Sequence, residues 1–166
     1  QNTAVGYQSL TVTTTGCQNT SVGYNSMDAN TTGDRNVAMG RDALGSNTTA
    51  DYNVAIGSEA MEVNTTGTQN TAVGFKALQS SSDQNYNVAI GACTMRVATG
   101  AQENTAVGWA SMLDLTSGDG NVGVGYSTLA NATTGSTNTA VGQASSPALT
   151  TGSCNTTIGD AAGISL

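Results

Sequence analysis

Side chains that exchange protons, attack carbonyls or hold metals are scarce in this sequence, and the few present fall at a fixed interval. Asp42 and Glu59 are 17 residues apart, as are Asp34 and Asp51. Brought face to face, two carboxylates about 5–9 Å apart could work as the acid and base of a glycosidase. Asp34 and Asp51 could also hold Ca²⁺ weakly, but the Gly/Asp nonapeptide of calcium-binding β-rolls is absent. The sequence offers neither pair an obvious aromatic platform or cationic partner, and we read both as solvated edge charges. There is no His, which removes Ser-His and Cys-His nucleophile pairs. Cys17, Cys93 and Cys154 form no Cys-x-x-Cys, so the usual zinc pattern is missing and free thiols are expected, with a bridge between chains as the lesser alternative. No catalytic residue, metal or cofactor is assigned.

Composition narrows the function classes further. The 166 residues carry a net charge of −7, with only Arg35, Arg41, Lys76 and Arg96 positive. A nucleic-acid groove needs a basic stripe to displace counterions, and none can be assembled from four cations. No apolar run approaches the ~20 residues of a membrane span. Gly, Ser, Thr and Asn abound, yet the apolar residues are too strictly phased for a disordered segment.

The phasing is a 17-residue repeat. Counting columns from Gln1, column 2 is Asn2, Asn19, Asn36, Asn53, Asn70, Asn87, Asn104, Asn121, Asn138 and Asn155. Column 6 is Gly6, Gly23, Gly40, Gly57, Gly74, Gly91, Gly108, Gly125, Gly142 and Gly159. Column 4 is small, usually Ala; column 5 is Val, Ile or Met; column 10 is Leu or Met in eight of ten repeats. A Thr-rich turn closes each repeat. Seventeen residues are too few for a pair of helices and suit one coil of a parallel β-solenoid. We expect an all-β fold of ten coils over residues 1–166, a single domain, with one strand near columns 2–6, a bend at the column 6 glycine and a second strand near columns 8–12. The column 2 asparagines are expected to stack as a ladder of amides, with αL turn chemistry at the start of the strand as the alternative.

On such a strand columns 2, 4 and 6 face one way and columns 3 and 5 the other. Small residues would line a narrow interior, leaving the Val/Ile face in need of a cover, which further copies of the chain supply most simply. The reverse assignment would point Val/Ile inward and leave a bland outer wall of Ala. Tyr7, Tyr24, Phe75, Trp109 and Tyr126 all sit in column 7, and Tyr52 and Tyr86 in column 1. These aromatics suit packing between chains, or a stripe that binds a glycan or protein. Asn30, Asn47 and Asn64 form sequons aligned in column 13, on the expected turn, where they would be glycosylation acceptors in a secreted eukaryotic protein.

The words "NTAVGYQSL…TTG" and "YNVAIGSEAM…NTTG" resemble the repeats of phage tail fibres and related surface proteins. The shorter "NVAIG" at 53–57 and 87–91 looks like the head repeat of YadA-type trimeric autotransporter adhesins. The resemblance covers essentially the whole chain. It implies a left-handed, trimeric parallel β-roll, outside the cell or on a virion surface, acting as a fibre or adhesin segment that spaces or presents a binding end. The pattern is already running at Gln1, so we expect a segment of a longer fibre. Two other readings stand beside it: a subunit of an extracellular filament of end-to-end solenoids, and, more remotely, a polysaccharide-active β-helix enzyme.

Overall fold

The structure, a computed structural model, describes residues 1–165. Val, Ile and Thr dominate columns 3 and 5, and branching at Cβ favours extended backbone. Each repeat accordingly forms one short strand: β1 (Thr3–Val5), β2 (Thr20–Val22), β3 (Val37–Met39), β4 (Val54–Ile56), β5 (Thr71–Val73), β6 (Val88–Ile90), β7 (Thr105–Val107), β8 (Val122–Val124), β9 (Thr139–Val141) and β10 (Thr156–Ile158). The ten strands make one parallel sheet in chain order. Each residue pairs with its equivalent in the next repeat, Thr71 with Val88 and Val73 with Ile90. The chain is an all-β parallel solenoid in which one repeat is one coil. At ~4.8 Å per coil, ten coils span about 48 Å.

The interior is narrow. Column 4 points inward, and Ala38, Ala55, Ala72, Ala89 and Ala106 are fully buried. Opposite them lie the column 10 side chains Met27, Leu44, Met61, Leu78, Met95, Met112 and Leu129, also fully buried in the same cluster. Small residues on one wall leave room for long ones on the other. Columns 3 and 5 therefore face outward, and Met39, Ile56 and Ile90 remain 42%, 38% and 40% exposed.

The expected strand over columns 8–12 is not formed. The chain turns there, and the residues of columns 8 and 10 are left-handed: Asp42 and Leu44 have φ of 54° and 50°, Lys76 and Leu78 of 56° and 49°. The alternation still serves the inter-coil ladder. The Asp42 N–H donates to the Tyr24 carbonyl on the preceding coil at 2.9 Å, and the Leu44 N–H to the Ala60 carbonyl on the following coil at 3.0 Å. Backbone groups are thus paired without extended geometry. Side-chain chemistry explains the choice. Branching at Cβ makes positive φ costly, and columns 8 and 10 contain no Val, Ile or Thr. The core column holds Leu and Met because those residues can be both large and left-handed. A left-handed residue costs roughly 1–2 kcal/mol, and burying its Leu or Met side chain returns about 1.5–3 kcal/mol.

Column 6 combines positive φ with close approach between coils. Gly74 has φ of +136°, and a Cβ there would lie 2.5 Å from the carbonyl oxygen of Gly91 on the next coil. Conformation and close approach both demand glycine. Gly74→Ala is expected to lower stability by at least about 3 kcal/mol, read as the urea midpoint, whereas Val73→Thr on the outward face should cost about 1 kcal/mol or less. Equal midpoints for the two variants would refute the stacked-glycine account.

Candidate functional site: side-chain ladders and an outward apolar face

The column 2 asparagines immediately precede each strand and point inward. Asn36, Asn53, Asn70, Asn87 and Asn104 are fully buried. Each makes two kinds of bond. The Asn70 Oδ1 accepts the backbone N–H of Asn87 at 2.9 Å, and its Nδ2 donates to the Gln84 carbonyl at 2.7 Å. The same pair of contacts recurs at Asn53, to the Asn70 N–H and the Gly67 carbonyl. Amide-to-amide bonds are secondary, present at Asn70–Asn53, Asn104–Asn87, Asn121–Asn104, Asn138–Asn121 and Asn155–Asn138 at 3.0–3.3 Å. The column is therefore less a self-satisfied amide stack than a staple: it ties the start of each strand to the next coil and to its own turn.

A second inward ladder occupies column 13, and it corrects the reading of Asn30, Asn47 and Asn64 as glycosylation acceptors. All three are fully buried. Asn47 Nδ2 donates to Asn30 Oδ1 at 2.7 Å, Asn64 Nδ2 to Asn47 Oδ1 at 3.2 Å, and each also bonds a carbonyl of its own turn. The turn folds these amides into the coil instead of displaying them, so the folded rod offers no acceptor there. Column 14 adds hydroxyls: the Thr31 and Thr116 Oγ1 donate to the Thr48 and Thr133 carbonyls at 2.9 Å.

The acidic pairs are structural too. Asp51 Oδ1 accepts the Asp34 N–H at 2.7 Å, and Asp34 Oδ1 accepts the Cys17 N–H at 2.6 Å. Asp119 does the same for Gln102 at 2.8 Å. Asp42 and Glu59 have cationic partners after all. Arg41 bridges both, Lys76 lies 3.3 Å from Glu59, and Gln79 Nε2 donates to Glu59 and Glu62. These contacts tether both carboxylates to neighbouring side chains. The thiols of Cys17, Cys93 and Cys154 are free. Among the described residues there is no pocket and no group of three His, Cys, Asp or Glu that could hold a metal.

Two groups at column 17 perturb each other. The Cys17 N–H, followed by its thiol, holds the Asp34 carboxyl below the usual carboxylate range. The same carboxylate pushes the Cys17 thiol up. Because folding lowers the carboxyl pKa, the contact favours the fold above the unfolded carboxylate range, and that gain is lost as pH falls through the folded value.

The outward surface is the remaining candidate. Columns 3 and 5 of all ten strands form a grid of Thr, Val, Ile and Met without a single charge. The column 7 aromatics flank it in the open, Tyr7 at 64% and Trp109 at 49% exposed. Tyr7 stacks on Tyr24 with ring centroids 5.3 Å apart, and Trp109 on Tyr126 at 5.0 Å. Phe75 carries the Lys76 ammonium over its ring. The chain matches no family model, no curated protein and no solved structure.

Two outcomes are expected. Asn70→Ala should cost about 2–4 kcal/mol, since it orphans the Asn87 N–H and the Gln84 carbonyl and each buried group left unpaired costs about 1–3 kcal/mol; denaturant unfolding reads this, and no loss would exclude a stapling role. Asp34→Asn should make Cys17 alkylate faster at pH 8, because the carboxylate no longer opposes thiolate formation. Peptide mapping of iodoacetamide-treated chain checks it, and an unchanged rate at Cys17 would refute the coupling.

Proposed function

We propose that this chain is a non-catalytic segment of an extracellular fibre or adhesin, a rigid rod that spaces or presents a binding end. The observation that carries this reading is the constant register from β1 to β10: every coil repeats the same pairing, with no insertion to build a cleft. Polar side chains that could have formed a site are consumed in holding one coil to the next. Stacking gives length in fixed increments and stiffness from a ladder of hydrogen bonds on several sides of the coil. The resemblance of "NTAVGYQSL" and "NVAIG" to phage tail-fibre and YadA-type head repeats supports the same role on a cell or virion surface. The uncharged outward grid supports bundling of several copies, a trimer in that resemblance, with their sheet faces turned to one another.

Removing one complete coil, residues 69–85, should leave a folded rod shorter by about 4.8 Å, with its association and its end-bound ligand intact. X-ray scattering gives the length. Removing residues 69–77 alone breaks register and should unfold the neighbouring coils. A whole-coil deletion that abolished a binding or turnover activity would locate function in that coil and defeat the spacer reading.

A further inference from the structure

We propose that the Asp119–Gly120 linkage is a spontaneous isomerisation site that the stacking of coils holds shut, so that isoaspartate there records opening of the turn between coils 7 and 8, counted from the N-terminus. The inference concerns the chemical lifetime of the rod and stands apart from the spacer reading.

An aspartyl or asparaginyl side chain can be attacked by the backbone nitrogen of the residue that follows it. Glycine in that place speeds the attack, because it brings no side chain and leaves the backbone free to turn. A residue branched at Cβ slows it by crowding and stiffening the approach. The ladder asparagines are all of the slow kind. Every column 2 Asn is followed by Thr or Val, and Asn30, Asn47 and Asn64 are each followed by Thr. No Asn precedes a glycine, although the chain holds 21 glycines. Asp119–Gly120 is the single Asp-Gly pair. Nothing in the coil demands this glycine. Gly120 lies in column 1 with φ of 64°, but Tyr86, Glu103 and Thr137 adopt 62°, 60° and 57° in the same column. A Cβ on Gly120 would meet only the Thr137 methyl, at 3.7 Å, an ordinary contact.

The reaction needs nothing but water. The Gly120 nitrogen bonds to the Asp119 Cγ and gives up its proton, the carboxyl hydroxyl leaves with that proton as water, and a five-membered succinimide closes. Water then opens the ring. Addition at Cγ restores aspartate. Addition at the α-carbonyl leaves the main chain running through Cγ, which is isoaspartate. No oxidant, reductant or cofactor enters, and the mass is unchanged.

Coil stacking ties both reacting groups to one residue of the preceding turn. Asp119 Oδ1 accepts the Gln102 N–H at 2.8 Å, and the Gly120 N–H donates to the Gln102 carbonyl at 3.0 Å. From the other side, the Asp119 N–H donates to Ser136 Oγ at 3.0 Å. Asp119 is exposed, so water reaches it freely, and hydrogen bonding rather than burial is the protection. Ring closure must take the proton from a nitrogen that is donating it to Gln102, and must turn a carboxylate that Gln102 also holds. The turn therefore has to come off its neighbour first. The product cannot settle back. Isoaspartate adds one atom to the backbone just before Asn121, whose N–H donates to Asn104 Oδ1 at 2.8 Å and whose Nδ2 donates to the Gly135 carbonyl at 2.9 Å. With that atom inserted the staple is out of its column, and a transient opening becomes a permanent fault.

Mass spectrometry of the full chain aged in neutral buffer tests this, with a synthetic peptide of residues 113–126 as the unstacked reference. Digestion with a protease that cuts before aspartate but not before isoaspartate reports position 119. The peptide should isomerise, the folded rod about ten-fold more slowly or slower still, and urea that unfolds the rod should raise its rate to that of the peptide. Equal rates in folded rod and peptide would overturn the protection. A peptide that forms no isoaspartate over the same time would overturn the site itself. Gly120→Gln, which places in coil 8 the residue that column 1 carries at Gln18 and Gln69, should fold and stay unmodified; isomerisation at the native rate would remove the glycine from the account. Asn121→Ala unties the staple beside the linkage and should speed isoaspartate formation in the rod beyond any change in its matched peptide, whereas Asn53→Ala, four coils away, should not. Equal acceleration by both would mean that only unfolding of the whole rod exposes the linkage, and would overturn its reading as a record of that one turn. Should Asn121→Ala fail to fold, the native rod against its peptide still decides whether stacking protects the linkage.

Discussion

One constraint governs this molecule: each coil must superpose on the next, because most of its backbone hydrogen bonds run to the neighbouring coils and only the turns close bonds within a coil. The pairing of β5 with β6 is the pairing of every other neighbour in the sheet. A side chain is therefore chosen against the same position one coil above and one below. Gly74 is held against Gly91, Asn70 against Asn87, Leu78 against Met95. The repeat length is fixed for the same reason. One added residue would push every later side chain of that coil out of its column.

The fold was legible in the sequence because this constraint writes itself as a period. The strand, the inward Ala, the column 6 glycine and the outward Val/Ile all follow from columns 3–6. The return segment was less legible, since Leu and Met at column 10 suit a strand as well as a turn. The signal lay in what is missing: columns 3 and 5 are almost entirely β-branched, while columns 8 and 10 have no β-branched residue at all. That exclusion marks positive φ, and it separates a true strand from a chain that only imitates the strand's hydrogen bonding. Column 13 misled for a different reason. Asn followed by two Thr reads locally as an exposed turn, and only the later repeats, with Ala98, Leu115, Ala132 and Leu149 in the same column, betray an interior position.

Column 13 also shows two ways of filling one space. From coil 2 to coil 4 it is an amide ladder; from coil 6 onward it is apolar and joins the Leu/Met core. The junction is at Ser81, whose hydroxyl turns to Gln84, and the Asn64 Oδ1 just before it has no partner. A buried acceptor without a donor costs free energy, so the seam between coils 4 and 5 is a weak point in the stack, as is coil 2 at the Asn25 Oδ1. The register survives this seam because the column 2 staples continue unbroken through Asn53, Asn70 and Asn87.

The candidate site was legible only in part, because its parts were chosen against different neighbours. Ladder residues answer to the coils above and below within one chain, and their columns are nearly uniform. The residues of columns 1 and 7 vary from coil to coil, and where they stack axially the partner is another exposed side chain, as in Tyr7–Tyr24, Trp109–Tyr126 and Arg35–Tyr52. Uniformity down a column reports a partner fixed in the same chain; an exposed column that varies is free of that demand. Applied to this rod, the distinction separates the asparagines and glycines, which build it, from the exposed aromatics of columns 1 and 7, which the stacking of coils does not require.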